Sequence, residues 1–94
     1  GTIALGVARG LLLLKVLKFI VKKTLGAIGM NVKLPKEKLL EIVDGVTSAS
    51  ILKHSGDINP IQIIALKRFL TNEIESGNIT NIKQIVQTLE KASK

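Results

Sequence analysis

His54, Ser55 and Asp57 bring a base, a hydroxyl and a carboxylate together within four consecutive positions. In a hydrolase these types act as general base, nucleophile and orienting acid, and the chemistry is acyl transfer. Such a triad needs each member presented from a separate point of a scaffold, so four adjacent residues read instead as a helix end followed by a turn. Glu37, Glu41 and Asp44 suggest a second chemistry, metal binding, because their spacing sets three carboxylates on one side of a helix. With a single His, no Cys and Lys38 among the acids, a solvated helix face is the expectation there. Gly26 and Gly29 lack the preceding strand and the following Lys-Ser/Thr of a phosphate-binding loop. The chain is therefore expected not to be an enzyme, with no catalytic residues, no metal, no cofactor and no small-molecule substrate.

Charge gives the stronger signal. The 94 residues carry a net charge of +7, with 46% hydrophobic and only 2% aromatic residues. A chain of this length forms one small domain, or a small domain with an appended segment, and has little room for a substrate cleft. Residues 1–34 hold Arg9, Lys15, Lys18, Lys22, Lys23 and Lys33 with no acid, whereas basic and acidic residues nearly balance in residues 35–94. Apolar composition shifts at the same place. Two segments are expected: a basic apolar helix in 1–34, embedded in a membrane or an assembly, and a compact three-helix unit in 35–94.

The first segment is oily on most of its circumference. Leu11, Leu12, Leu13, Leu14, Val16, Leu17, Phe19, Ile20 and Val21 crowd a short stretch, while Lys15, Lys18 and Lys22 fall in a stripe about 60° wide on a helix. Residues 3–21 include twelve strongly apolar side chains, favouring insertion by about 4 to 7 kcal/mol, and Arg9, Lys15 and Lys18 each cost up to about 3 kcal/mol near a bilayer centre. The sums nearly cancel, so spanning requires a partner or an aqueous face for the lysines. Three environments fit: a lipid interface, a protein assembly with the lysines in its lumen, or a polar-centred bilayer bundle. A core helix with an exposed lysine edge is the plainer alternative. Gly6 and Gly10 form a G-x-x-x-G spacing suited to close subunit contact. The helix is expected over residues 3–28, about 39 Å long, ending at Gly26 to Gly29 and tilting or breaking near Gly10. Leu5 stands where a myristoylation signal has Ser or Thr, and the interspersed lysines do not follow a secretory layout.

Three helices are expected in 35–94. Pro35 suits a first helical position, Leu39, Val43, Val46 and Ser50 make one stripe with Ile42 and Ala49 beside it, and Gly56 supplies the stop after Lys53 and His54. Asn59, Pro60 and Gln62 read as N-cap, N1 and N3 of a capping box, with Gly77 ending the helix. The last helix starts near Thr80 or Asn81, with Ile82, Ile85, Val86 and Leu89 apolar. In the middle helix Ile63, Leu66, Leu70 and Ile74 form a core stripe, while Ile61, Ile64 and Ala65 point elsewhere. That second surface needs a partner, either the N-terminal helix or another subunit.

The fold class expected is thus all-α, four helices in total, a long cationic apolar one followed by a small three-helix unit. Function is expected to be structural: a self-assembling homo-oligomer, such as a virion coat protein or a helical filament subunit, membrane-associated or held within a virion or filament. Leu11, Leu12, Leu13, Leu14, Val16, Leu17, Phe19, Ile20 and Val21 are the lipid or assembly contacts. Lys15, Lys18, Lys22 and Lys23 face lipid headgroups or nucleic acid, and Gly6, Gly10, Ile61 and Ile64 are subunit contacts. Two alternatives remain open on these residues, a nucleic-acid-binding module whose affinity falls steeply with salt and a membrane-permeabilising protein of bacteriocin or holin type.

Overall fold

Glycine and asparagine set four of the eight helix ends in the computed structural model, which describes residues 6–26, 31–54 and 56–93. The helices are α1 Val7–Leu25, α2 Lys36–Lys53, α3 Pro60–Glu75 and α4 Ile82–Ala92, with no strand among the described residues. The all-α, four-helix class read from periodicity is the observed one.

The ends of α1 fall on glycines in the left-handed half of backbone space, Gly6 at φ 86° and Gly26 at φ 66°. Gly26 donates its N–H to the Lys22 carbonyl at 3.1 Å, closing the helix where sequence placed its end. Residues 1–5 and 27–30, including Ile3, Ile28 and Gly29, lie outside the described residues. The 19 described residues of α1 span about 28 Å. Where tilting or a break is expected near Gly10, α1 starts at Val7 and runs unbroken through Gly10, whose N–H reaches the Gly6 carbonyl at 3.0 Å. Tertiary packing holds that glycine in place, because a Cβ at Gly10 would overlap the Ser93 side chain and approach its backbone.

Boundaries in the remaining helices match the expected pattern with three local corrections. Pro35 caps α2 in extended geometry rather than occupying its first turn, so the helix starts at Lys36. At the other end His54, not Gly56, is the stopping point, donating its N–H to the Ser50 carbonyl at 3.0 Å. Asn59 caps α3 as expected, its side chain accepting from the Ile61 N–H at 3.0 Å. Gln62 does not complete the capping box, since its Oε1 accepts from the Arg9 guanidinium at 3.0 Å and ties α3 to α1 instead. Asn81 caps α4 by accepting from the Gln84 N–H at 2.9 Å, and Gly77, at φ 84°, follows the end of α3.

The four helices alternate in direction. Ile20 of α1 seats against Gly45 of α2 and Phe19 lies beside Lys53, which makes the pair antiparallel. Leu34 and Lys36 hydrogen-bond to the carbonyls of Thr80 and Glu75, setting the α1–α2 connection beside the α3–α4 connection. At the opposite end Arg9 meets Gln62 and Gly10 meets Ser93. α2 packs on α1 and α3, and α1 packs also on α4.

Packing joins the segments that charge separates. Leu13, Leu17 and Val21 of α1 are buried in one apolar cluster with Leu39, Ile42, Val43 and Val46 of α2, Ile63, Leu66, Leu70 and Ile74 of α3, and Ile82, Ile85 and Leu89 of α4. Little free space remains at its centre, about 10 Å³ beside Leu17, Val43, Leu66, Leu70, Ile85 and Leu89. Two hydroxyls sit inside. Thr47 donates to the Val43 carbonyl at 2.9 Å, while the fully buried Ser50 Oγ has no hydrogen-bond partner among the described residues.

Candidate functional site

With Leu13, Leu17 and Val21 turned inward, helical periodicity turns Lys15, Lys18 and Lys22 outward, and all three are exposed together with Lys23. Three large apolar side chains share that outer side: Val7 is 64% exposed, and Leu11 and Phe19 are each 53% exposed. Leu12, Leu14, Val16 and Ile20 lie between, partly buried against the core. The nine apolar residues expected to contact lipid or an assembly therefore divide three ways, and only Leu11 and Phe19 are largely free to meet a partner.

Phe19 is the centre of the face. The ammonium groups of Lys23 and Lys53 each stand 5.3 Å from its ring centroid, within range of the attraction between a cation and the negative face of an aromatic ring. Next to it a shallow groove of about 210 Å³ runs between the helices, with Lys15, Val16, Phe19 and Ile20 of α1 facing Ala49, Lys53 and His54 of α2. The two ion pairs among the described residues, Lys38–Glu41 at 3.9 Å and Lys67–Asp44 at 2.6 Å, involve none of these cations. Chemically, the face joins uncompensated positive charge to half-exposed apolar surface, the combination that suits an interface between water and an anionic, oily phase.

Lys53 and His54 belong to this site, and sequence reading assigned them only to the end of α2. The available signal was the pair Gly45 and Ala49, small residues four apart that mark the side of α2 approached by another helix. His54 lines the groove rather than a nucleophile, its carbonyl accepting from the Asp57 N–H at 2.9 Å in the turn; Ser55 lies outside the described residues. The carboxylates of Glu41 and Asp44 pair with lysines, and no group of three or more metal-ligating side chains occurs among the described residues.

The remaining expected contacts separate. Gly10 is buried against Ser93 of the same chain, so its close approach is intramolecular, while a Cβ at Gly6 would meet nothing within 4 Å. Ile61 and Ile64 on α3 are 77% and 49% exposed. At those exposures α1 leaves both largely uncovered, although its Arg9 reaches Gln62 beside them. No helix among the described residues is long and apolar enough to cross a membrane. Compared with family models, with curated proteins and with solved structures, the chain matches none.

Proposed function

We propose that this is a non-enzymatic structural protein that lies on an anionic lipid surface through the outer side of α1 and associates with further copies of itself, as a coat layer or virion component does. The observation that carries this reading is the composition of one helix face: Lys15, Lys18, Lys22 and Lys23 around the half-exposed Leu11 and Phe19, with no acid anywhere in α1. Each lysine near an anionic membrane surface contributes about 1 kcal/mol, so four supply about 4 kcal/mol, close to a thousandfold in partitioning. Leu11 and Phe19 add apolar area that a headgroup layer can cover. A nucleic-acid backbone rewards the lysines alone, and a chain with two Phe and no Trp or Tyr offers little on which bases could stack. Ile61 and Ile64, away from the α1 face, are the surface for like copies.

Co-sedimentation with vesicles of mixed phosphatidylserine and phosphatidylcholine tests the reading. The parent chain is expected to bind, weakening as salt rises, and Lys18→Glu combined with Lys22→Glu is expected to abolish binding while leaving the helical spectrum unchanged. Binding that survives the double reversal refutes the lysine face. Binding to duplex DNA without binding to vesicles transfers the face to nucleic acid.

A further inference from the structure

We infer that the groove between α1 and α2 is a discrete site for a single anionic phospholipid, its phosphate held by Lys15, Lys53 and His54 and its first methylenes laid on Phe19, Ile20 and Ala49. The inference rests on the membrane-surface reading and goes further, because a charged stripe needs no particular lipid position whereas a groove defines one.

Three observations converge on it. The first is shape. Ile20 seats against Gly45, its Cδ1 3.6 Å from where a Cβ would lie, so the helices are close at that level. One turn along α2 the small Ala49 leaves about 210 Å³ open between the helices. The second is charge. Lys15, Lys53 and His54 line the opening, no acid lines it, and none of these residues has an ion-pair partner among the described residues. The third is the crowding of cations at the ring, since Lys23 and Lys53 both approach Phe19 at 5.3 Å. Like charges held near one ring repel, and an anion paired with Lys53 at the groove lowers that repulsion. An apolar floor under an uncompensated cationic rim complements an amphiphile with an anionic head. A free anion leaves the floor wet, and a neutral amphiphile leaves the rim unpaired.

Dodecyl phosphate below its aggregation threshold is the probe, followed by two-dimensional amide NMR of the full chain. Inorganic phosphate and the neutral dodecyl maltoside serve as comparisons. Saturable shifts are expected at residues 15–20 and 49–54 with dodecyl phosphate, at concentrations at which neither comparison ligand produces them. Ala49→Leu fills the groove without changing charge and is expected to weaken binding at least tenfold, and Lys53→Glu, at an exposed position that does not threaten folding, to do the same. Lys18→Glu with Lys22→Glu lies outside the groove and is expected to keep the site. Equal shifts with inorganic phosphate or with the maltoside, or no saturable shift in those segments, overturn the proposal. Displacement of dodecyl phosphate by an acidic amphipathic peptide at lower concentration reassigns the groove to a protein partner and equally overturns it. The two readings fail separately: vesicle binding that survives Ala49→Leu and Lys53→Glu but not the Lys18 and Lys22 reversals removes the groove alone, whereas dodecyl phosphate in the groove without vesicle binding removes the membrane-surface reading.

Discussion

Replacing Leu17 by Ala separates a helix that belongs to the core from one that merely precedes it. Leu17 is 1% exposed and adjoins Val43 and Val46 of α2, Leu66 and Leu70 of α3, and Ile85 and Leu89 of α4, so its side chain touches the space shared by all three other helices. Only about 10 Å³ is free there, and three helices must shift together to refill what the truncation empties. A poorly collapsing site of this kind costs about 3 to 5 kcal/mol for Leu→Ala. The whole domain, at about 0.05 to 0.15 kcal/mol per residue, has about 5 to 14 kcal/mol to lose. A loss of 3 kcal/mol lowers the melting temperature by about 12 to 24 °C and the urea midpoint by about 1 to 3 M. Leu11→Ala is the control: at 53% exposure it is expected to change stability by less than about 0.5 kcal/mol. Urea unfolding followed by far-ultraviolet circular dichroism in detergent-free buffer gives both midpoints. If Leu17→Ala and Leu11→Ala unfold together with the parent, α1 is not part of the cooperative unit and the assignment of its inner face is wrong.

Four further outcomes are expected. Gly10→Val drives a side chain into Ser93 and its backbone and is expected to lower stability by about 1 to 3 kcal/mol in a thermal melt; an unchanged melt means α4 does not close on α1 there. Asn81→Ala removes the acceptor for the Gln84 N–H and is expected to cost about 1 kcal/mol, with amide exchange faster in the first turn of α4 if the cap is the cause. Ser50→Ala deletes a buried hydroxyl that has no partner among the described residues and is expected to raise the urea midpoint, by up to about 1 kcal/mol in stability; a fall shows that the hydroxyl is satisfied. Ile61→Ser with Ile64→Ser is expected to leave the melt nearly unchanged and to reduce the mass seen by light scattering, whereas an unchanged mass excludes that face of α3 as the contact between copies.

Much of the fold was legible because α2, α3 and α4 carry their instructions locally. Asn59 and Asn81 are caps whose side chains take the backbone bonds expected of them, and Ile63, Leu66, Leu70 and Ile74 bury the stripe their spacing describes. α1 was less legible for a definite reason. With apolar residues on nearly every side, periodicity identifies the lysine edge but not which remaining third faces the core, and that choice is made by Gly45, Ala49 and Ser93 on other helices. Gly10, the fourth residue of α1, is accommodated on the same ground, since the conformational cost of a helical glycine is offset by a contact 83 positions away in sequence. Gln62 shows the rule at one residue: the capping-box spacing is present, yet Arg9 competes for its amide oxygen, and charge-assisted bonds are the stronger ones. The groove was less legible for the same reason: Gly45 and Ala49 mark a side of α2 that another helix can approach, but which helix lies there is decided by packing.

The division of α1 into an inner and an outer face explains how a helix this oily can serve a surface. An amphipathic peptide with the same sequence has to find an apolar phase for Leu13, Leu17 and Val21, and inserts deeply or aggregates when it does. Here α2, α3 and α4 supply that phase, so what remains outside is a graded face: four lysines, three exposed apolar side chains and a groove rimmed by Lys53 and His54. On the proposed lipid-surface reading, such a face would adhere to headgroups without committing the helix to the bilayer interior, because withdrawing Leu13 and Leu17 from the core costs about 1.5 to 3 kcal/mol each before any lipid contact repays it. Shallow binding by a folded domain follows from that difference, and so does the separability of its two roles. Charge reversal at Lys18 and Lys22 acts at exposed positions and is expected to remove adhesion with the core intact, whereas truncation at Leu17 is expected to weaken the core that holds that face in register.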